Sequence, residues 1–315
     1  MSEKTESWCV PAEAARVRLD QYLQRIMPDR SRSQIQLLIR LGLAQVNDTE
    51  VKTGYRLRIN DRISIRISSQ PAPQPHPENI PLNVLYEDCD LAVIEKPAGM
   101  VCHLGAGVHS GTLVNALLYR MGPIETGDPV RPGIVHRLDK LTSGVMVVAK
   151  NSWTHRALAE QFKSRQVTKE YLALVHGRPT PAAGTIDMPI GRDPHNRRKI
   201  STSARKARPA VTHYRILREY GTLALLRVRI ETGRTHQIRV HLARKGHPVA
   251  GDTVYGGSRI HSLSKQLGPA ATQLSRIFLH AHRLKFSHPR TGAALDFTSQ
   301  LPPELEKFLT LLCGS

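Results

Sequence analysis

The sequence predicts an α+β fold in two parts, and three observations carry that prediction. Apolar residues recur at helical spacing between Leu19 and Ile39. Prolines then crowd the chain from Pro71 to Pro81, and beyond them β-branched runs alternate with helical segments. With 315 residues and 40% apolar content, the chain can bury one small core and one large one.

The 45 Lys and Arg against 26 Asp and Glu leave a net charge of +19, spread along the chain. Such a surface suits a polyanion, which makes nucleic acid the leading partner. An anionic membrane competes, but no basic amphipathic helix with a bulky apolar face stands out. Aromatic residues at 5% argue against a platform of stacking rings. Cys9, Cys89, Cys102 and Cys313 form no C-x-x-C pair, so neither zinc nor a disulfide framework is expected. The polar N-terminus and the absence of a long apolar run predict a soluble, cytoplasmic protein. No dimerisation stripe departs from a monomer.

Residues 1–15 read as an irregular tail. Leu19, Tyr22, Leu23 and Ile26 mark a first helix ended by Pro28. Ser31 or Ser33 can cap a second helix with Ile35, Leu38 and Ile39 on its apolar side and Gly42 as its stop. Asn47-Asp48 reads as a turn between short strands, and a hairpin around Asn60-Asp61 is expected to pair residues 58–60 with 62–67. Arg30, Arg32 and Arg40 lie on the polar side of the helix pair, either as a solvated face or as an RNA contact. The boundaries are a domain at 16–68, a semi-rigid proline-rich linker at 69–80, and a second domain at 81–315.

In the second domain, Leu91–Ile94 is a buried strand and Pro97 and Gly99 force a turn. Leu113, Leu117 and Leu118 begin a helix. Gly105, Gly107 and Gly111 make a backbone-rich loop without P-loop spacing, so ordinary turns are favoured. Ile134-Val135 and Val145–Ala149 read as strand ends flanking the polar connection 136–143. Asp139 there, beside Arg137 and Lys140, is either a member of a structural ion pair or a nucleophile or base. Leu158 and Phe162 mark a helix running to about Gln166, and Lys169–Val175 is a strand placing Tyr171 on the same face as Ala173 and Val175. Tyr171 is either core or a ring beside a substrate. Residues 192–208 hold Arg192, Arg197, Arg198, Lys199, Arg205, Lys206 and Arg208 against Asp193 alone. They read as a mobile loop, either merely solvated or touching phosphates. Leu225–Ile230 is a strand, and a helix from about Ile238 closes at Gly246. Arg234, at the junction, can grip a carboxylate with both nitrogens. His236, His241 and His247 are not a metal site, since no acid or cysteine joins them at ligand spacing and the helix turns His236 and His241 to different faces.

The run His136-Arg-Leu-Asp-Lys-Leu-Thr-Ser-Gly144 resembles the catalytic motif of the RluA family of pseudouridine synthases. Lys96, Pro97, Gly99 and His103 match a second stretch of that family, although Leu104 stands where proline is usual. Thr232-Gly-Arg-Thr-His-Gln-Ile-Arg-Val-His241, Gly251-Asp-x-x-Tyr-Gly-Gly257 and Phe286-Ser-His-Pro289 extend the likeness. Residues 16–67, with their Arg-Leu-Asp-Gln-Tyr-Leu opening and Ser-Arg-Ser-Gln-Ile second helix, resemble the αL-type RNA-binding domain. The likeness covers nearly the whole chain, and its order is similar to the RluD-type branch of the family, which acts on large-subunit rRNA.

The resemblance implies an N-terminal RNA-binding domain ahead of a catalytic domain with a mixed or antiparallel sheet. It implies an isomerase that converts uridine to pseudouridine without cofactor or metal. Asp139 is the implied nucleophile, Arg234 its ionic partner, and Tyr171 a ring against the uracil that helps remove the C5 proton. His136, Arg137, Arg30, Arg32, Arg40, Arg197, Arg198, Lys199 and Arg205 are the expected RNA contacts. The alternatives are tRNA as substrate, or a non-catalytic RNA-binding assembly factor.

Overall fold

The computed structural model describes residues 3–28, 30, 32–68, 74–105, 107–126, 128, 130–194, 196, 199–204, 206–257 and 273–313. The chain divides into two compact units, Met1–Pro73 and Gln74–Ser315.

In the first unit, helices α1 (Leu19–Ile26) and α2 (Arg32–Arg40) lie with four strands, β1 (Glu3–Cys9), β2 (Ala44–Val46), β3 (Thr49–Glu50) and β4 (Arg62–Ser68), in the order β1-β4-β2-β3. Leu19 and Leu23 of α1, Ile35 and Ile39 of α2, and Ile63 and Ile65 of β4 share one core. Alternation along β4 buries Ile63 and Ile65 and leaves Arg62 and Arg66 exposed. Buried Asp20 ties the helices together, accepting from Arg18 Nε at 2.9 Å and Gln36 Nε2 at 2.8 Å.

Two expectations fail here. The segment taken as a tail contributes β1, which pairs antiparallel with β4 from Cys9↔Arg62 to Glu3↔Ser68. The hairpin around Asn60-Asp61 does not form, because β4 pairs with β1 and β2 instead. Asp61 organises that turn, accepting from the Arg58 amide at 2.8 Å, Asn47 Nδ2 at 2.9 Å and the Tyr55 hydroxyl at 3.1 Å. The expected cap Ser31 and linker residues 69–73 lie outside the described residues.

The second unit is built on a nine-stranded mixed sheet. Its strands are β5 (Asn83–Glu87), β6 (Leu91–Lys96), β7 (Ser143–Ala149), β8 (Thr168–His176), β9 (Ala183–Asp187), β12 (Val211–Tyr220), β13 (Leu223–Ile230), β14 (Leu279–Ser287) and β15 (Ala294–Thr298). The order is β5-β6-β7-β14-β8-β13-β12-β9, with β15 on β14. Only the β7–β14 pair is parallel, through His280↔Ser143 and Ala281↔Gly144. A Cβ on Gly144 would collide with the Ala281 carbonyl, so this close approach needs glycine.

Alternation assigns the two faces. Met146 and Val148 of β7 and Tyr171, Ala173 and Val175 of β8 share a core with Leu113 and Leu117 of α3 (Leu113–Met121) and Ile238 and Leu242 of α5 (Gln237–Arg244). Across the sheet, Val145 and Val147 meet Leu158 of α4 (Ser152–Lys163). Leu172 and Leu174 meet Leu305 and Phe308 of α6 (Pro303–Cys313). The loop carrying Asp139 and the start of α5 thus belong to the Tyr171 face. The basic segment after Ile190, read from sequence as a mobile loop, is framed by a two-strand hairpin, β10 (Gly191–Arg192) with β11 (Ile200–Ser201).

Candidate active site

The loop that enters β7 is gripped near its β7 end by two buried cations. Lys96 is 1% exposed, and its ammonium donates to the carbonyls of Pro97 at 2.7 Å, Met100 at 2.9 Å and Lys140 at 3.3 Å. The Gly99 amide adds a 2.8 Å bond to Lys140. Burial lowers the Lys96 pKa to about 8, which still leaves three N–H donors for three carbonyls at neutral pH. Just beyond Lys140, Arg276 donates to the Leu141 carbonyl at 3.2 Å, Ser143 Oγ at 2.9 Å and Glu304 Oε1 at 2.8 Å. Ser143 Oγ lies 2.9 Å from His280 Nδ1, and His280 Nε2 lies 3.2 Å from the Ser299 carbonyl. That acceptor fixes the proton on Nε2, and burial lowers the His280 pKa to about 4.

Asp139 is thereby presented at the head of α5. Arg239 Nη1 donates to its Oδ2 at 3.1 Å. The same guanidinium grips Asp252, Nε to Oδ2 at 2.7 Å and Nη2 to Oδ1 at 3.0 Å. Burial opposes the charge of Arg239, but Asp252 and Asp139 outweigh it and raise its pKa. Asp252 is completely buried and also accepts the Val254 and Tyr255 amides at 2.9 and 3.1 Å. The Tyr255 ring lies under the guanidinium, 5.1 Å from centroid to Cζ. Its hydroxyl accepts the Ile200 amide at 2.9 Å and lies 2.9 Å from His236 Nδ1. His236 Nε2 in turn is 3.9 Å from Asp139 Oδ2. Burial lowers the His236 pKa, so the ring is neutral.

The ionic partner expected from Arg234 is therefore Arg239. Arg234 precedes α5, and its Nε donates at 3.3 Å to the Pro209 carbonyl. Burial and the charges of Arg208 and Arg165 lower its pKa, the signature of a cation among cations. Arg239 sits inside α5, three residues after His236 and so on the same side of the helix.

Asp139, Tyr171, Arg137 and Arg234 line one recess, whose walls also include Leu138, Ile230, Ile238 and Leu279. Its empty volume is about 480 Å³ including its open mouth. Tyr171 is 8% exposed, and burial together with the Asp139 charge pushes its phenol pKa far up. A phenol held protonated offers the recess a ring face and a donor.

A wider cleft adjoins the recess, sharing Arg137, Tyr171 and Arg234 with it and adding Arg131, Lys163, Arg165, Lys169 and Arg208. Burial lowers the Lys169 pKa to about 8. His136 belongs to this cleft's wall; it stacks on Phe162 at 4.6 Å and accepts the Val147 amide on Nε2 at 3.1 Å. Burial and Lys169 lower its pKa to about 3, so His136 is a neutral, loop-fixing ring. A third pocket carries Arg192, Lys206, Arg208 and Arg234 beside His236. Lys199 is partly exposed beside β11, whereas Arg197, Arg198 and Arg205 lie outside the described residues. In the first unit, Arg30 is partly exposed between the helices, Arg32 begins α2 and Arg40 is exposed at its end.

Away from the recess, Asp88, Cys89 and Asp90 bring ligand-type atoms within 4.8 Å of one another. Their carboxylates are engaged: Arg290 clasps Asp90 and His288 lies 2.9 Å from Asp88 Oδ2. That engagement favours structural ion pairs over a metal centre.

Sequence reading passed over Arg239, Asp252, Tyr255, Lys96 and Arg276 as site residues. The first four lie within stretches already singled out, and helix phase was the signal that could have set Arg239 beside His236. Arg276 carried no local signal, because its partners Leu141, Ser143 and Glu304 are distant in sequence.

Residues 90–244 match the RNA pseudouridylate synthase family, and residues 17–63 match the S4 domain. An RNA pseudouridine synthase of Aquifex aeolicus is 44% identical over 92% of this chain and 92% of its own. The ribosomal large subunit pseudouridine synthase D of Neisseria meningitidis serogroup A is 40% identical over 96% of this chain and 80% of its own. That of Xanthomonas campestris is 40% identical over 96% and 91%. Among solved structures, human RNA pseudouridylate synthase domain containing 4 superposes with a TM-score of 0.57 at 29% identity, covering 73% of this chain and 93% of its own. Identity sustained along nearly the full length reaches far beyond the Asp139 motif, and it shows that this chain belongs to the RNA pseudouridine synthase family of isomerases, with an S4 domain ahead of the catalytic one.

Proposed function

We propose that this enzyme isomerises uridines of large-subunit rRNA to pseudouridine, with Asp139 as the nucleophile. The observation that carries the reading is the Asp139–Arg239–Asp252 arrangement at a recess that sets apolar side chains and the Tyr171 ring beside cationic ones. Arg239 engages only Oδ2 of Asp139, and Oδ1 has no hydrogen bond to a described residue. Oδ1 is then the oxygen available to C1′ of the ribose, while Asp252 keeps the guanidinium in place.

The reaction breaks the N1–C1′ bond, turns the base and forms C5–C1′. The C5 proton leaves and N1 takes up a proton, so atoms and electrons balance without a redox cofactor. The neutral Tyr171 ring covers a face of the uracil during the turn. Arg137, Arg234 and the cations of the adjoining cleft hold the phosphates around an extruded nucleotide, offsetting an unstacking cost of a few kcal/mol. The S4 domain, with Arg30, Arg32 and Arg40, and the basic segment 192–208, with Arg197, Arg198, Lys199 and Arg205, add backbone contacts that carry affinity. Large-subunit rRNA is favoured over tRNA because relatives named for the large ribosomal subunit align over 96% of the chain. We further place the protein in the cytoplasm as a monomer acting during ribosome assembly.

The test is Asp139→Asn. Isomerisation should fall at least about 10³-fold while RNA affinity changes by less than about twofold. Parallel loss of binding and activity would assign Asp139 to RNA contact instead.

A further inference from the structure

Thr142 lies one turn beyond Asp139, and its amide donates to the Asp139 carbonyl at 3.0 Å. Its side chain forms part of the recess wall together with Tyr171, Ile230 and Leu279. The residue is 2% exposed, and its Oγ1 has no hydrogen-bond partner among the described residues. A buried hydroxyl left in that state is destabilising, whereas valine would fill the same space without the penalty. Two other polar groups of the recess lining are already committed. Gln237 uses its carboxamide on Thr232, Val211 and Thr212, and Arg239 is shared between two carboxylates. The two γ atoms of threonine hang on one Cβ, so a χ1 step moves Oγ1 to another staggered position without backbone movement.

We propose that the Thr142 hydroxyl donates to the uracil carbonyl next to the glycosidic bond, O2 in uridine and O4 in pseudouridine. The inference rests on the reading of the recess given above. Turning uracil about its N3–C6 line exchanges N1 with C5 and O2 with O4, and leaves N3–H and C6–H in place. A donor fixed to the loop therefore meets a carbonyl both before and after the turn, and it retains the detached base between them. The base is a better partner for this hydroxyl than the ribose, because the recess lining includes the Tyr171 ring and the aliphatic Ile230, Ile238 and Leu279, surfaces that suit a flat ring.

The experiment is single-turnover release of tritium from C5 in an rRNA fragment spanning a mapped target, compared for wild type, Thr142→Val and Thr142→Ser. Thr142→Val should slow release about tenfold or more with KM within about twofold, and Thr142→Ser should recover most of the rate. Both should melt no lower than wild type within about 2 °C, since no bond to a described residue is lost. Substituting 2-thiouridine, whose sulfur is a poor acceptor, should slow wild type and Thr142→Ser but add little to Thr142→Val. Wild-type rates in Thr142→Val, or a 2-thio effect of equal size in all three proteins, would overturn the proposal. A 2′-deoxy effect that vanishes in Thr142→Val would overturn it by assigning the hydroxyl to the ribose. No release by wild type from any rRNA would instead sink the substrate reading itself.

Discussion

Arg239 and Arg234 are five positions apart, yet the structure gives them different work. Arg239 bridges Asp139 and Asp252 in a nearly buried fork, a geometry lysine cannot reproduce with one ammonium. Arg239→Lys should lower kcat about 100-fold or more with little change in RNA affinity, as read from single-turnover rates beside filter binding. Arg234→Gln should do the reverse, weakening RNA binding and lowering the slope of log affinity against log salt by about one phosphate contact. Exchange of the two phenotypes would restore Arg234 as the partner of Asp139. The motif made an arginine partner legible in the sequence but left open which arginine. The choice depends on where α5 begins: Arg234 falls in the loop before it and Arg239 on its inner side.

At the level of elements, the catalytic loop is held by neighbouring strands and loops through Lys96, Arg276 and the Ser143–His280 contact. Lys96→Met would take a donor from three carbonyls, leaving Lys140 only its Gly99 amide bond, and it should destabilise the catalytic unit by about 2–4 kcal/mol in urea unfolding. His280 sets a pH window. Its folded pKa is about 4 against an ordinary value of about 6.5, so between these pH values the unfolded chain binds the extra proton. Stability should therefore fall as pH drops from about 6.5 toward 4, by up to about 1.4 kcal/mol per pH unit from this group alone. His136, with a folded pKa of about 3, acts in the same direction. His280→Gln should flatten that slope, and an unchanged slope would remove His280 from the account. Local periodicity made β4, β7, β8, α1 and α4 readable from the sequence. The partners of β4 were not readable, because residues 3–9 and 44–46 reach it across long stretches of chain.

Across the whole molecule, a net charge of +19 and two units with separate cores suit an enzyme that grips RNA at several points. Removing residues 1–73 should weaken rRNA binding about tenfold or more and reduce its salt dependence, with the single-turnover rate at saturating RNA kept within about threefold. Loss of the saturated rate would instead give the S4 unit a part in the chemistry. The two-part plan was legible from the prolines and from the change of periodicity on either side of them. The cluster of cations that Arg234 joins was not, because it gathers Arg165, Arg208 and Arg234 from separate segments.

The central claim is that Asp139, held by Arg239, carries out the isomerisation of rRNA uridines. Tritium release from C5 of large-subunit rRNA, with wild type and Asp139→Asn side by side, tests it most directly. The account predicts release by wild type alone while both proteins bind the RNA equally. Release by Asp139→Asn at a comparable rate would contradict it.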